Sequence, residues 1–187
     1  MADIAGKKVM ILATNGFEQS ELEVPRDRLK QAGAEVEIVS LQGGEIKGWD
    51  MKDWGRPVAV DKSIDQVTVD DYDALVLPGG QINPDLLRVD RRAVEFVRDF
   101  DSTGKTLAAV CHAPWVLIEA GVIKGRRVTS YKSIVTDVKN AGGLYEDKAP
   151  VIDGNLITAR NPDDLEVFSK AIIGALEKGA PARHAAE

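Results

Sequence analysis

Thr106-Leu107-Ala108-Ala109-Val110 runs straight into Cys111-His112-Ala113-Pro114-Trp115, with no residues to spare for a loop. The first five residues are small or apolar, too few for a whole helix and β-prone at Val110, so they read as a buried strand. Ala113 to Gly121 reads as a helix, with Pro114 tolerated in its first turn and Gly121 as its stop. A buried strand that turns at once into a helix belongs in a sheet covered by helices. The corner lifts Cys111 out of the sheet and aims it at the positive end of the helix. That corner carries the only cysteine of the chain and one of its two histidines. A helix end and a neighbouring imidazolium lower a thiol from about 8.5 to roughly 3.5–7.5, so the expectation is a reactive thiolate at Cys111. The bland alternative is an inert buried cysteine with a histidine beside it by chance.

The rest of the chain repeats the strand-then-helix rhythm. Lys8 to Ala13 reads as a first buried strand. Ser20 and Glu23 suggest a capping box for a helix in which Leu22, Pro25, Leu29 and Ala32 share a face before Gly33. Pro25 is expected to bend that helix or delay its regular part. Glu35 to Leu41 alternates into a second strand, and short extended runs near Glu45–Lys47 and Val58–Asp61 suggest a hairpin or an edge excursion. Ser63 to Tyr72 reads as a polar connection with a short helical turn. Ala74-Leu75-Val76-Leu77 is a third core strand, closed by Pro78-Gly79-Gly80. Arg91 to Phe100 sets Ala93, Phe96, Val97 and Phe100 on one helical face. After the Cys111 corner come a short strand at Arg127-Val128-Thr129 and a helix marked by Ile134, Val135, Val138 and Ala141. Val151-Ile152 and Leu156-Ile157-Thr158 read as a hairpin or as paired extensions. A last helix is capped by Asn161, has Pro162 in first position and buries Leu165, Phe168, Ile172 and Leu176. Strands alternating with helices imply a mostly parallel sheet covered on both faces, with its crevice at the carboxyl ends of the strands. Thr14–Glu18, Pro78–Asp85 and the Cys111 corner all belong to that edge.

At 187 residues the chain suits one domain over 1–187, with a core of about 8–178 and a loose tail at 180–187. A net charge of -6 leaves no basic footprint for nucleic acid. No apolar run reaches membrane-spanning length, and Met1-Ala2-Asp3-Ile4 is no signal peptide, so a cytoplasmic protein without membrane attachment is expected. One cysteine rules out an internal disulfide, and one Cys with two His offers no zinc-ligand spacing. No metal and no cofactor are expected. No Gly-x-Gly-x-x-Gly follows a strand, and the carboxylates of Asn15-Gly16-Phe17-Glu18-Gln19-Ser20-Glu21 would repel a phosphate at the helix start.

His112 is then the one imidazole placed to serve Cys111. Glu18, just past the end of an apolar strand, reads either as a partly buried acid that exchanges protons with the thiol or as a solvated residue favoured by the helix dipole. Gly79 and Gly80 read either as a tight turn or as N–H groups that, with the His112 N–H, stabilise an oxyanion. Trp49, Trp54 and Trp115 are candidates for covering a pocket, with no assigned role.

Several ordered motifs carry a resemblance. They are Phe17-Glu18 with Glu21, Asp73-Ala74-Leu75-Val76-Leu77-Pro78-Gly79-Gly80, Val110-Cys111-His112, Ala120-Gly121-Val122-Ile123-Lys124-Gly125-Arg126, Lys139-Asn140-Ala141-Gly142, and Arg160-Asn161-Pro162-Asp163-Asp164-Leu165. Over Lys8 to Leu176 the chain resembles the PfpI family, in the superfamily of the Parkinson-associated deglycase, and within it the bacterial stress-protein branch. The resemblance implies a flavodoxin-like three-layer α/β/α sandwich with a nucleophile elbow at Cys111, in a homodimer or a larger ring. It implies Cys111 as nucleophile, Glu18 as its paired acid, His112 as the adjacent histidine, and Gly80 and His112 as oxyanion donors. It also implies a carboxylate reaching the histidine from a neighbouring subunit, at the position of Asp85. The chain departs from the family's His-Gly-Pro-Gln with His112-Ala113-Pro114-Trp115. Its loop Gln81-Ile82-Asn83 is one residue longer, and Asp85 replaces a frequent Glu. The implied activities are glutathione-independent glyoxalase III-like chemistry through a Cys111 hemithioacetal, or repair of glycated protein or nucleotide. Alternatives are cysteine peptidase action, and a redox-sensing or chaperone role through oxidation of Cys111. The substrate is accordingly a small aldehyde, a glycated group or a peptide.

Overall fold

The structure, a computed structural model, describes residues 4–179. The first half comprises β1 (Lys8–Leu12), α1 (Gln19–Gln31), β2 (Glu35–Ser40), β3 (Gly44–Asp50), β4 (Asp53–Val60), β5 (Lys62–Ser63), β6 (Ala74–Leu77), α2 (Ile82–Leu87) and α3 (Arg91–Ser102). The second comprises β7 (Thr106–Val110), α4 (Pro114–Glu119), β8 (Arg127–Val128), α5 (Val135–Asn140), β9 (Leu144–Tyr145), β10 (Val151–Asp153), β11 (Leu156–Ala159) and α6 (Leu165–Lys178).

Seven strands form the central sheet in the order β10-β11-β7-β6-β1-β2-β5. Every neighbouring pair is parallel except the β10–β11 hairpin at one edge. Strand alternation divides the core into two layers. Met10, Leu12, Leu75, Leu77, Leu107 and Ala109 point to the side packed by α3, α4 and α5. Val9, Ile11, Val76, Ala108 and Val110 point to the side packed by α1 and α6. Both faces are dry, so these strands read as continuous apolar runs; full burial of each Leu, Ile or Val stabilises the fold by about 1.5–3 kcal/mol. The result is the expected flavodoxin-like sandwich: helices, mostly parallel sheet, helices.

From β1 the chain passes through α1 on one face, and from β6 through α2 and α3 on the other. The carboxyl ends of the adjacent strands β1 and β6 therefore diverge, opening a crevice between them at the switch in strand order. β7 lies beside β6 and delivers Cys111 to the same edge.

Two local expectations are corrected. The Ser20–Glu23 capping box does not form: α1 begins at Gln19, with Glu18 at the cap position and no side-chain cap bond. Tertiary bonds fix this earlier start, because Trp49 N–H donates to Phe17 C=O at 2.7 Å and Glu18 N–H to Gly79 C=O at 3.4 Å. Glu23 instead accepts from Gln19 Nε2 and from Arg56. Nor does Pro25 delay the helix, which runs through it with Pro25 buried. The β3–β4 hairpin is longer than expected and pairs Trp49 with Trp54 across its end. Among the described residues no helix is long and apolar enough to cross a membrane, and no three His, Cys, Asp or Glu side chains gather to hold a metal. The tail at 180–187, with His184, lies outside the described residues.

Candidate active site

Cys111 is the first residue after β7, and the backbone there is forced into a left-handed turn with φ of 63°. Such a φ is uncommon for a side chain with a Cβ and is held by its surroundings. Cys111 N–H donates to Ala159 C=O at 3.1 Å, Tyr131 N–H donates to Cys111 C=O at 2.8 Å, and α4 starts at Pro114. The elbow expected at Cys111 is present. The thiol is 5% exposed and lines a cavity of about 570 Å³ with Glu18, Glu21, Gly80, His112 and Tyr131. That volume suits a small molecule or one side chain.

The carboxyl group beside the thiol is that of Glu21, not Glu18. Glu21 is fully buried, its Oε2 accepts the Gly79 N–H at 2.9 Å, and its Oε1 has no ordinary hydrogen-bond partner. Burial pushes its pKa up to about 8; the hydrogen-bonded Cys111 thiol opposes that shift and the charge of Glu18 reinforces it. Glu21 is therefore mostly protonated at neutral pH. Glu18 lines the same cavity but is only half-buried. Burial raises it, the Met51 backbone N–H pulls it down, and Asp50 pushes it up again. The correction follows from helical geometry. Because α1 starts at Gln19, Glu21 lies with Leu22, Pro25 and Leu29 on the buried face, while Glu18 sits at the cap near the hairpin tip. In the sequence the spacings 21, 25, 29 and 18, 22, 25, 29 fit one helical face equally well, and the start of α1 decides between them.

The expectation of an imidazolium-activated thiol is also corrected. Burial pushes His112 down, so its ring is neutral. Burial and the Glu21 carboxylate push the Cys111 thiol up, while the N–H groups of Gly80 and His112 pull it down. Glu21 already holds a proton at neutral pH, so the acceptor for the proton that leaves Sγ is His112, whose Nδ1 lies 3.1 Å from the sulfur.

Gly79 and Gly80 have different tasks. The N–H of Gly79 is committed to Glu21, so Gly79 positions the acid and does not serve as an oxyanion donor. The N–H of Gly80 reaches both Glu21 and the sulfur, which places it with the His112 N–H at the reacting centre. At Gly80, with φ of 77°, a Cβ would lie 2.4 Å from Gly16 C=O and 2.7 Å from Glu18 N, so only glycine fits. At Gly79 a Cβ would meet Glu21 Oε2 at 2.6 Å and Cys111 Cβ at 2.7 Å.

Asp85 does not join this group within the chain. It lies on exposed α2, and its carboxylate pairs with Arg88 at 2.6 Å. Arg88 in turn packs over the Trp115 ring at 4.6 Å, and Trp115 meets His112 edge-on at 5.2 Å. Trp115 Nε1–H donates to Asp137 at 2.8 Å, so this tryptophan is a fixed wall behind the histidine. Trp49 lines the cavity, and Trp54 meets it edge-on at 5.6 Å.

Three further residues had no role in the sequence reading. Asn83, fully buried, accepts the Thr14 N–H at 2.7 Å and donates to the carbonyls of Pro78 at 2.9 Å and Gly79 at 3.2 Å. It ties the loop after β1 to the loop after β6. Tyr131 stacks on the His112 ring at 4.7 Å and 25°. Ser133 Oγ lies 3.0 Å from His112 Nε2. Tyr131 and Ser133 lie some twenty residues past the elbow, where local pattern carries no signal.

The DJ-1/PfpI family model matches residues 7–175. The chain is 46% identical over 172 residues to the protein/nucleic acid deglycase 2 of Escherichia coli, covering 91% of this chain and 98% of that one. It is 40% identical over 172 residues to the putative cysteine protease YraA of Bacillus subtilis, covering 91% and 99%. Among solved structures, Drosophila melanogaster DJ-1beta superposes with a TM-score of 0.83 at 32% identity, over 94% of this chain and 91% of that one. With residues 7–175 matched by the family model and relatives 40–46% identical over nearly its whole length, this chain belongs to the DJ-1/PfpI family.

Proposed function

We propose that the protein is a glutathione-independent enzyme that rearranges reactive 2-oxoaldehydes at Cys111, and that it releases the same aldehydes from early adducts on amino groups. The observation that carries this reading is the protonated carboxyl of Glu21 against the thiol, inside a cavity of about 570 Å³. A carbonyl addition needs an acid at the oxygen while sulfur attacks the carbon, and a rearrangement then needs a base at that carbon. One group that is protonated at rest and lies beside the sulfur supplies both.

With methylglyoxal, Sγ bonds to the aldehyde carbon, the thiol proton passes to His112 Nδ1, and Glu21 gives its proton to the aldehyde oxygen. Glu21, now a carboxylate, removes the C1 hydrogen. The electron pair forms the C1=C2 bond of an enediol, whose second oxygen takes the proton from His112. Return of a proton from Glu21 to C2, and of the O1 proton to His112, leaves a lactoyl thioester on Cys111. Water cleaves the thioester, its oxygen going to the acyl carbon as lactic acid and one of its protons to the departing sulfur; the proton on His112 then returns to Glu21, and the product leaves as lactate and a proton. One carbon is oxidised and its neighbour reduced, so no outside oxidant or reductant enters. The N–H groups of Gly80 and His112 are placed to stabilise the oxyanions of addition and hydrolysis.

Amide hydrolysis is less well supported. Asp85 is committed to Arg88, and among the described residues no carboxylate orients His112 as a peptidase triad would require. The test is lactate formation from methylglyoxal without glutathione. Wild type is expected to form lactate and Cys111→Ala none. Lactate formed equally by both would move the chemistry away from Cys111.

A further inference from the structure

His112 is held at four places, and three of them fix only the plane of its ring. Tyr131 stacks on one face at 4.7 Å, Trp115 closes the side at 5.2 Å, and the backbone is set by the elbow. The fourth contact decides something else. In a neutral imidazole one nitrogen carries the proton and the other the lone pair, and the partner of one fixes the role of the other. His112 faces Sγ of Cys111 with Nδ1 at 3.1 Å and Oγ of Ser133 with Nε2 at 3.0 Å.

We propose that Ser133 is the positioning residue of this site: its hydroxyl oxygen accepts the proton on Nε2 of His112, and so keeps the Nδ1 lone pair turned toward the thiol. Ser133 does not itself line the cavity, and its contact with the site is through the His112 ring. It stands where a triad would place a carboxylate, and its difference from one is chemical. With the thiol S–H facing Nδ1, a hydroxyl that accepts from Nε2–H supports this tautomer without adding negative charge, so the imidazolium formed when Nδ1 takes the thiol proton gains no ion-pair stabilisation and readily returns that proton. Such a histidine suits the repeated proton exchange of a carbonyl rearrangement. The proposal rests on the Cys111 reading for its catalytic consequence, while the tautomer itself is observable without any substrate.

The chain has two histidines, so ¹⁵N-labelled protein with His184→Gln gives a spectrum of His112 alone. With Ser133 present, Nε2 is expected to carry the proton. In Ser133→Ala, Nδ1–H is expected to grow to a comparable share, kcat on methylglyoxal to fall about tenfold, as for one lost hydrogen bond, and KM to stay within about twofold. Ser133→Thr, which keeps the hydroxyl, is expected to restore both the tautomer and kcat. An unchanged tautomer in Ser133→Ala overturns the assignment, as does a Thr variant no better than Ala. If wild type shows Nε2–H, Ser133→Ala loses it, and neither makes lactate, the positioning role stands and the carbonyl reading falls.

Discussion

At the residue scale, the decisive feature is a carboxyl group kept neutral by burial. Glu21 is raised to about 8 in the folded chain from a reference of 4.5, chiefly because its charged form would be stripped of water. The sign of the linkage follows. Below pH 4.5 folded and unfolded chains both hold the proton, so Glu21 and a glutamine in its place are nearly equivalent. From pH 4.5 to about 8 the unfolded chain has released the proton and the folded chain has not, so stability falls by up to about 1.4 kcal/mol per pH unit. Above about 8 both states are ionised and the loss levels off. Thermal unfolding of wild type and Glu21→Gln is therefore expected to diverge across that window, with the Gln variant the more stable at pH 8; parallel Tm curves would show that Glu21 is ionised in the native state. The acid step of addition is expected to weaken as pH rises through about 8. The residue was visible in the sequence as part of a motif. Its role was not, because choosing between Glu18 and Glu21 depends on where α1 starts, and long-range bonds from Trp49 and to Gly79 set that point.

At the scale of elements, strands and helices were legible because their apolar patterns are strong. Ala74–Leu77 and Thr106–Val110 could only be buried strands, and the Cys111–Pro114 corner could only be an elbow. The connections were less legible. Pro78–Asp85 read as a loop, with two glycines and Pro84 inside it, yet Ile82–Leu87 forms α2 and carries Asn83 inward. Asn83 joins the loops after β1 and β6 through three hydrogen bonds, one of them accepting a buried backbone N–H. Replacing it with Ala takes the partner from the Thr14 N–H and the Pro78 C=O, while Gly79 C=O keeps only its longer bond from the Glu18 N–H. Asn83→Ala is expected to cost about 2–3 kcal/mol of stability in urea unfolding and to lower kcat through displacement of Gly79 and Gly80. A stability change under about 0.5 kcal/mol would show that other contacts hold the two loops together.

At the scale of the whole molecule, the fold's topology is what brings the chemistry together. β1, β6 and β7 are adjacent and parallel, so Glu21, Gly80 and Cys111 come from three distant stretches to one edge. The order of strands was legible as a class of fold, and the convergence at the carboxyl edge followed from it. The partnership of His112 with Ser133 and Tyr131 was not, since it depends on how the segment after α4 folds back over the elbow. An assembly in which Asp85 approaches another subunit remains a proposal from family resemblance; in the single chain its carboxylate serves Arg88. The central claim is that Glu21 handles the protons of the Cys111 reaction. The most direct measurement compares kcat for lactate formation in Glu21→Gln and Glu18→Gln at pH 7. Glu21→Gln is expected to lose about 10²–10⁴-fold, the range for a general acid–base, with Cys111 still alkylated by iodoacetamide, and Glu18→Gln less than about tenfold. A large loss in Glu18→Gln beside near-normal turnover in Glu21→Gln would contradict the account.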